Sequence, residues 1–216
     1  MDKENLKILA QNLANPQGEK GIEIGEMMNA TNIGMTLESI KTLLIEDDEA
    51  ILEIGHGNAA HVKSILNKAQ NIKYTGIDIS ETMHTEAKRL NEKFKNQAEF
   101  VLYEGNQFPF KDKTFDKIFT VNTVYFWENP VEYLNEIYRV LKDNGTFVLT
   151  FGQRDFMETL PFTQFDFTLY NTDQMEETVS KSHFKRMKVS EKEEEIKSKT
   201  GNETIKRKYT VLTIKK

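Results

Sequence analysis

From residue 50 onward, short apolar runs alternate five times with helix-like stretches, and this rhythm is the strongest constraint on what the chain can fold into. Parallel strands cannot be joined by tight turns, so each needs a crossover, and the crossovers cover both faces of the sheet. Ala50–Ile54 is nearly continuous in apolar residues and ends at Gly55, as expected of a strand buried on both sides. The spacing predicts a helix over 59–69, a second strand over 72–78, and a helix capped by Ser80 that runs through Met83, Ala87, Leu90 and Phe94. A third strand over 100–103 leads into a loop through Pro109, and a fourth covers 115–121. Asn129-Pro130-Val131-Glu132 is a strong helix start, with Leu134, Ile137, Tyr138 and Leu141 as the buried face. Asn144-Gly145 is expected to stop that helix before a fifth strand over 146–151.

The rhythm then changes. Residues 151–170 are dense in aromatic rings, and a helix follows over 173–182. Two long strand patterns, 184–197 and 204–214, come next with no helix between them, joined at Thr200-Gly201-Asn202 as a hairpin. The fold class is therefore α/β, a doubly wound, mostly parallel sheet with helices on both faces and one antiparallel strand. Ahead of it, Leu6, Leu9 and Leu13 mark a short helix. Pro16, Gly18, Gly21 and Gly25 read as a loop leading to Met27 and Met28, and a helix is predicted over 36–45. No linker or repeat divides the chain, so one domain is expected: an N-terminal cap (1–45), a core (46–152), and a C-terminal part (153–216) holding the aromatic insertion, a helix and the hairpin.

Charge and cysteine content narrow the chemistry. With 29 Lys+Arg, 34 Asp+Glu and a net charge of −5, the chain has no uniform attraction for phosphate backbones, so the expected partner is a small molecule and not a nucleic acid. The absence of cysteine removes thiol nucleophiles, thiolate zinc sites and iron–sulfur ligation. The four histidines show no helical pair or carboxylate cluster, so no metal is expected. Met1-Asp2-Lys3-Glu4-Asn5 lacks the features of a secretory signal, and no stretch approaches the length of a membrane span; the expectation is a cytoplasmic protein.

Ligands of open α/β sheets bind beyond the carboxyl ends of the strands, where strand order reverses. The loop after the first strand, Glu53-Ile54-Gly55-His56-Gly57-Asn58-Ala59, is a glycine turn that lets a ligand approach the backbone closely. Asp78 ends the second strand 21 residues after Gly57 (78 − 57), where a carboxylate can accept from both hydroxyls of a ribose. A strand-to-helix connection that needs positive φ, and a carboxylate that caps a helix, are the plainer readings of these two features. In Glu104-Gly105-Asn106-Gln107-Phe108-Pro109-Phe110 the amides suit the edge of a purine and Phe108 its side, although loop chemistry explains the same residues. Asn122-Thr123-Val124-Tyr125-Phe126-Trp127 places aromatics where a reacting group would sit, or where the core simply needs rings.

Taken in order, Leu-Glu-Ile-Gly-His-Gly-Asn-Ala at 52–59, Gly-Ile-Asp-Ile-Ser-Glu-Thr-Met at 76–83, Glu-Gly-Asn-Gln-Phe-Pro-Phe at 104–110 with Phe115-Asp116, and Arg-Val-Leu-Lys-Asp-Asn-Gly-Thr at 139–146 resemble the class I S-adenosylmethionine-dependent methyltransferases, in particular the ubiquinone and menaquinone branch. The resemblance implies strand order 3-2-1-4-5-7-6 with strand seven antiparallel. It also implies S-adenosylmethionine as cofactor and S-adenosylhomocysteine as product. It puts Glu53, Gly55 and Gly57 under the methionine and ribose, Asp78 on the ribose, and Ile79 and Met83 on the adenine faces. Gly105, Asn106 and Gln107 fall at the adenine edge, and Asn122 near the sulfonium. Two departures stand out: Ala59 replaces a common third glycine, which a negative φ would tolerate, and Asn106 replaces the usual aspartate.

Methyl transfer is an in-line displacement that asks mainly for positioning and exclusion of water. Tyr125 and His56 are the candidate acid/base residues. Trp127 and Tyr125 offer ring faces to a cation, and Met28 and Phe162 are placed at the substrate mouth, which favours an apolar or aromatic acceptor. The inserted rings could equally anchor an extra loop. His61 and His84, on helices, read as surface or packing residues. Two other classes stay open: a module that binds the cofactor without transferring a methyl group, and a nicotinamide-dependent oxidoreductase. The latter favours a third glycine where position 60 is Ala.

Overall fold

A computed structural model describes residues 2–105, 107–197 and 204–216. Its chain order is α1 (Lys3–Ala14), α2 (Gly18–Leu43), β1 (Ala50–Ile54), α3 (Val62–Leu66), β2 (Lys73–Asp78), α4 (Glu81–Leu90), β3 (Ala98–Leu102), β4 (Phe115–Val121), α5 (Pro130–Val140), β5 (Leu141–Gly152), α6 (Arg154–Met157), α7 (Thr172–Ser180), β6 (Arg186–Lys197) and β7 (Thr204–Lys215). The sheet runs β3-β2-β1-β4-β5-β7-β6, with β1 to β5 mutually parallel and β7 antiparallel to both β5 and β6. This is the order the resemblance implied. The turn at 200–202 and Asn106 lie outside the described residues.

Successive β1 residues point to opposite faces, and both faces are covered. Leu52 and Ile54 join α5 and α7 through Leu134, Ile137, Val140, Met175 and Val179. Ile51 joins α2 and α3 through Met35, Ile40, Leu43, Val62 and Ile65. That two-sided burial is why β1 reads as a continuous apolar run. The predicted caps form: Ser80 Oγ accepts from Met83 N at 3.1 Å, and Asn129 caps α5 with Pro130 in its first turn. The order reverses between β1 and β4, so the loops after these strands open into one crevice.

Three local expectations fail. The glycine-bearing stretch 18–25 is not a loop; it is the first two turns of α2, which continues without a break into the helix predicted over 36–45 and ends at Leu43. Its glycines serve close packing: a Cβ on Gly21 would lie 2.7 Å from the Pro16 carbonyl carbon, and one on Gly25 would lie 2.6 Å from Met83 Sδ. The helix after β1 is shorter than predicted at both ends: residues 59–61 lead into it as a turn, and residues 67–69 leave it as turn and bend. Asn144-Gly145 does not end α5. The helix stops at Val140, Leu141 pairs with Phe115, and Asn144, at φ 66°, sits in an irregularity inside β5.

Gly21→Ala tests the packing account. Alanine gains about 1 kcal/mol of helix propensity over glycine, whereas overpacking against a fixed backbone costs about 1–3 kcal/mol. The urea midpoint should therefore fall, and a rise would show that α2 is free to move away from Pro16.

Candidate active site

The turn after β1 takes the left-handed region at Gly55 (φ 73°), Gly57 (φ 55°) and Ala59 (φ 51°). The negative φ that would make alanine easy to tolerate at position 59 is not what the turn adopts. The residue is fully buried, its N–H donates to His56 O at 3.0 Å, and its carbonyl accepts from Asn91 Nδ2 at 3.0 Å. Holding a non-glycine residue there costs about 1–2 kcal/mol, which the surrounding bonds must sustain. The turn is tied to the next strand. Gly57 N donates to Asp78 Oδ2 at 2.9 Å, and Ser80 N donates to Asp78 Oδ1 at 2.9 Å. Both carboxylate oxygens keep lone pairs for further donors. Ser80 Oγ donates to Pro16 O at 2.5 Å, which draws the start of α2 over the site.

Below the turn, Glu53 is 3% exposed, and its Oε2 accepts from Tyr74 Oη at 2.5 Å and from His61 Nε2 at 2.8 Å. Burial by itself would lower the His61 pKa, but the Glu53 charge and hydrogen bond outweigh it and the net shift is upward. Burial and Glu53 together push the Tyr74 hydroxyl far above its ordinary value. His56 goes the other way. Its burial outweighs the pull of Asp78 and Glu53, and its pKa is lowered. His56 Nδ1 lies 2.7 Å from Gly57 O and donates to it, leaving Nε2 buried without a partner.

These residues wall a cavity of about 1210 Å³ between the strand ends and α2. Glu53, Gly55, His56, Gly57, Asp78, Ile79, Met83, Gly105, Asn122, Trp127 and Met28 line it, so most of the residues singled out in the sequence come together. Asn106 lies outside the described residues. Gln107, Tyr125 and Phe162 are not in the wall. Gln107 is exposed, and Phe162 is buried in the turn Pro161–Gln164 with its ring 5.8 Å from that of Phe167. Phe108 is buried, packed edge-on to Tyr103 and Tyr133, and is not in the wall. Tyr125 stands behind the wall: its hydroxyl is 2.9 Å from Gly152 O and 3.1 Å from Asn122 Oδ1, which also accepts from Gly152 N at 3.1 Å. Burial pushes that hydroxyl well up, so Tyr125 holds Asn122 and is poorly suited to take a proton. Trp127 stacks on Tyr133 at 4.4 Å and buries its Nε1 without a partner.

Sequence reasoning missed His61 and Tyr74. A partial signal existed: Tyr74, Gly76 and Asp78 alternate along β2, so all three share one face. The α2 residues Asn29 and Asn32 were also missed, because that helix was not extended far enough toward its N-terminus.

The wall fits a cationic, phosphate-free cofactor. It contains Glu53, Asp78, Glu104, Glu128, Glu132 and Glu136, and no lysine or arginine among the described residues. A Cβ on Gly57 would meet nothing within 4 Å, so this glycine faces the open cavity with its backbone accessible. Ile79 and Leu102, 40% and 44% exposed, are apolar surfaces left for a flat ring.

Residues 52–149 match the methyltransferase domain family. Two Bacillus subtilis proteins named as methyltransferases are similar in sequence: YrhH, 34% identical over 51% of this chain and 62% of its own length, and YdaC, 29% identical over 61% and 71%. An S-adenosylmethionine-dependent methyltransferase structure from Aquifex aeolicus shares the fold with a TM-score of 0.63, at 17% identity over 99% of this chain and 98% of that one. The sheet order and the likeness to this structure give the chain a Rossmann-like methyltransferase fold. The similarity to methyltransferase domains spans 98 of the 216 residues (149 − 52 + 1), and the chain covers less than two thirds of the length of YrhH. No helix among the described residues is long and apolar enough to cross a membrane.

The His61 pair gives a signed prediction. Its folded pKa is raised, so its stabilising contribution is complete below the unfolded value of 6.5 and is lost as pH rises through the folded value. The stability deficit of His61→Asn should be largest in acid and shrink as pH rises. Urea titrations across that range check it, and a deficit independent of pH would mean that the Glu53–His61 contact does not carry charge.

Proposed function

We propose that this protein transfers a methyl group from S-adenosylmethionine to a small-molecule acceptor with an apolar or aromatic body, by in-line displacement. The cofactor supplies an activated methyl group on a sulfonium; the chain supplies binding, orientation and dryness. In this reading Asp78 accepts from the ribose hydroxyls, Gly55 and Gly57 let the cofactor backbone approach, and Ile79 and Met83 hold the adenine. Glu53, fixed by Tyr74 and His61, faces the methionine end. Asn122, fixed by Tyr125 and Gly152, stands beside the sulfonium. Met28, Phe126, Trp127 and Tyr133 form the acceptor side of the cavity and exclude water from the reacting atoms.

The observation that carries this reading is the single cavity at the strand-order reversal, which joins the Asp78–Gly57 clasp to an aromatic wall. The acceptor body is proposed from those rings. A module that binds the cofactor without turnover would need its acceptor space filled by its own side chains, and here the space between Met28 and Trp127 is part of the open cavity.

Calorimetry of S-adenosylhomocysteine on wild type and on Asp78→Ala tests the cofactor site. Wild type should bind, and the variant should lose about hundredfold in affinity, or about 2.7 kcal/mol, while its thermal unfolding stays cooperative. Equal affinity in a folded variant removes Asp78 from the site, and no binding by wild type removes the reading. For Tyr125→Phe, turnover should fall while cofactor affinity and the shape of the pH–rate profile persist, as befits a residue that positions Asn122. Loss of a limb of the profile would instead make Tyr125 the proton acceptor.

A further inference from the structure

The carboxylates of the cavity are not all accounted for by the cofactor. Glu53 and Asp78 stand at the ends of β1 and β2 under the cofactor half. Glu104, Glu128 and Glu132 come from the loop after β3, the loop after β4 and the first turn of α5. All three are exposed at the rim, and none makes an ion pair among the described residues. Glu136, deeper in the same wall, is already matched by Arg139 at 2.6 Å. The same wall holds the buried rings of Trp127 and Tyr133, stacked on each other, and the half-buried ring of Phe126. Trp127 adds an independent mark of a ligand site: its indole Nε1 is buried without a partner among the described residues, in a side chain only 7% exposed that lines the cavity. A buried donor left unpaired is costly, and an acceptor atom on a ligand would relieve it.

An anionic acceptor entering here would meet three unpaired carboxylates and no compensating cation in the wall. A cationic acceptor would meet three attractive charges at the mouth and aromatic faces behind them, the surroundings that favour an organic ammonium. We infer that the acceptor is an amine that enters as an ammonium ion, its charge drawn by Glu104, Glu128 and Glu132 and its body packed against Trp127 and Tyr133. This rests on the methyltransferase reading and adds the acceptor's charge and reacting atom. Before reaction the ammonium gives one proton to solvent or to a rim carboxylate. The nitrogen lone pair then forms the bond to the methyl carbon, and the carbon–sulfur bonding pair stays on sulfur as a neutral thioether. The product is the methylated ammonium ion.

Trp127 is the sole tryptophan of the chain, so its emission reports on this wall directly. Tyramine, 4-hydroxyphenylacetate and tyrosol share a ring and a hydroxyl and differ in charge: cation, anion and neutral. Each is titrated into protein saturated with S-adenosylhomocysteine, with tryptophan excited selectively. Tyramine should bind at least about tenfold more tightly than 4-hydroxyphenylacetate, with tyrosol between them, and added salt should narrow the gap. In the double variant Glu128→Gln, Glu132→Gln the preference should shrink to about threefold or less, with S-adenosylhomocysteine affinity unchanged. Equal or tighter binding of the anion, no binding of tyramine, or a preference that survives the double substitution overturns the inference while the cofactor site stands. A parallel loss of S-adenosylhomocysteine affinity in the double variant also overturns it, by assigning these carboxylates to the cofactor. Failure of wild type to bind S-adenosylhomocysteine overturns the methyltransferase reading itself.

Discussion

The clasp between Gly57 N and Asp78 Oδ2 holds the ends of β1 and β2 in one arrangement, and the rest of the site is built on it. For the amide of Gly57 to reach Asp78, the chain leaving β1 must turn through left-handed backbone at Gly55, Gly57 and Ala59. Glycine adopts that region without steric cost and alanine does not, so the strain falls on Ala59, where packing is complete and Asn91 holds the carbonyl. The same turn sets where α3 begins and buries His56 against Phe100. From the other side of Asp78, Ser80 passes the constraint on to Pro16 and the roof.

Glu53 shows how a charge can be kept in such a place. An ionised carboxylate with 3% exposure is costly unless its lone pairs are met. Two donors, Tyr74 and His61, converge on one oxygen. They come from β2 and from the entry to α3, so the bonds that stabilise the charge also fix the spacing of strand and helix around the cavity.

Much of this could be read from the sequence, because the signals were local. The apolar run of β1, the Asn129-Pro130 start of α5 and the spacing from Gly57 to Asp78 each follow from residues near one another in the chain. What could not be read depends on neighbours distant in sequence. Gly21 and Gly25 carry the composition of a loop, yet they lie in a helix because Pro16 and Met83 occupy the space where side chains would go. His61, at the entry to α3, has nothing beside it in the chain to set it apart; its partner is Glu53, which Tyr74 reaches from β2. Tyr125 sits in an aromatic segment at the right place for chemistry, and only the three-dimensional path of β5 shows that its hydroxyl is taken up by Gly152 and Asn122.

The roof helix illustrates how unevenly such a site is secured. Along its C-terminal half α2 is bound into the sheet: Ser39 Oγ lies 2.7 Å from Thr150 Oγ1, and Met35, Ile40 and Leu43 are fully buried. In its middle, the buried guanidinium of Arg207 on β7 donates to Thr31 O at 2.8 Å and to Asn32 Oδ1 at 2.9 Å while pairing with Glu194 at 2.6 Å. Breaking this set would leave a buried cation without its partners, a cost of about 3–5 kcal/mol by comparison with other buried pairs. At its N-terminal end the ties across to α4 are the Ser80–Pro16 bond and the bond from Gly18 N to Thr82 Oγ1 at 3.0 Å, the latter exposed. Net worth near 1 kcal/mol each is the ordinary scale for such bonds. The wall residues contributed by α2 therefore fall into two groups. Thr36 and Asn32 are held by the sheet and by Arg207, whereas Gly25 and Met28 depend on the lighter contacts at the Met83 end of the cavity.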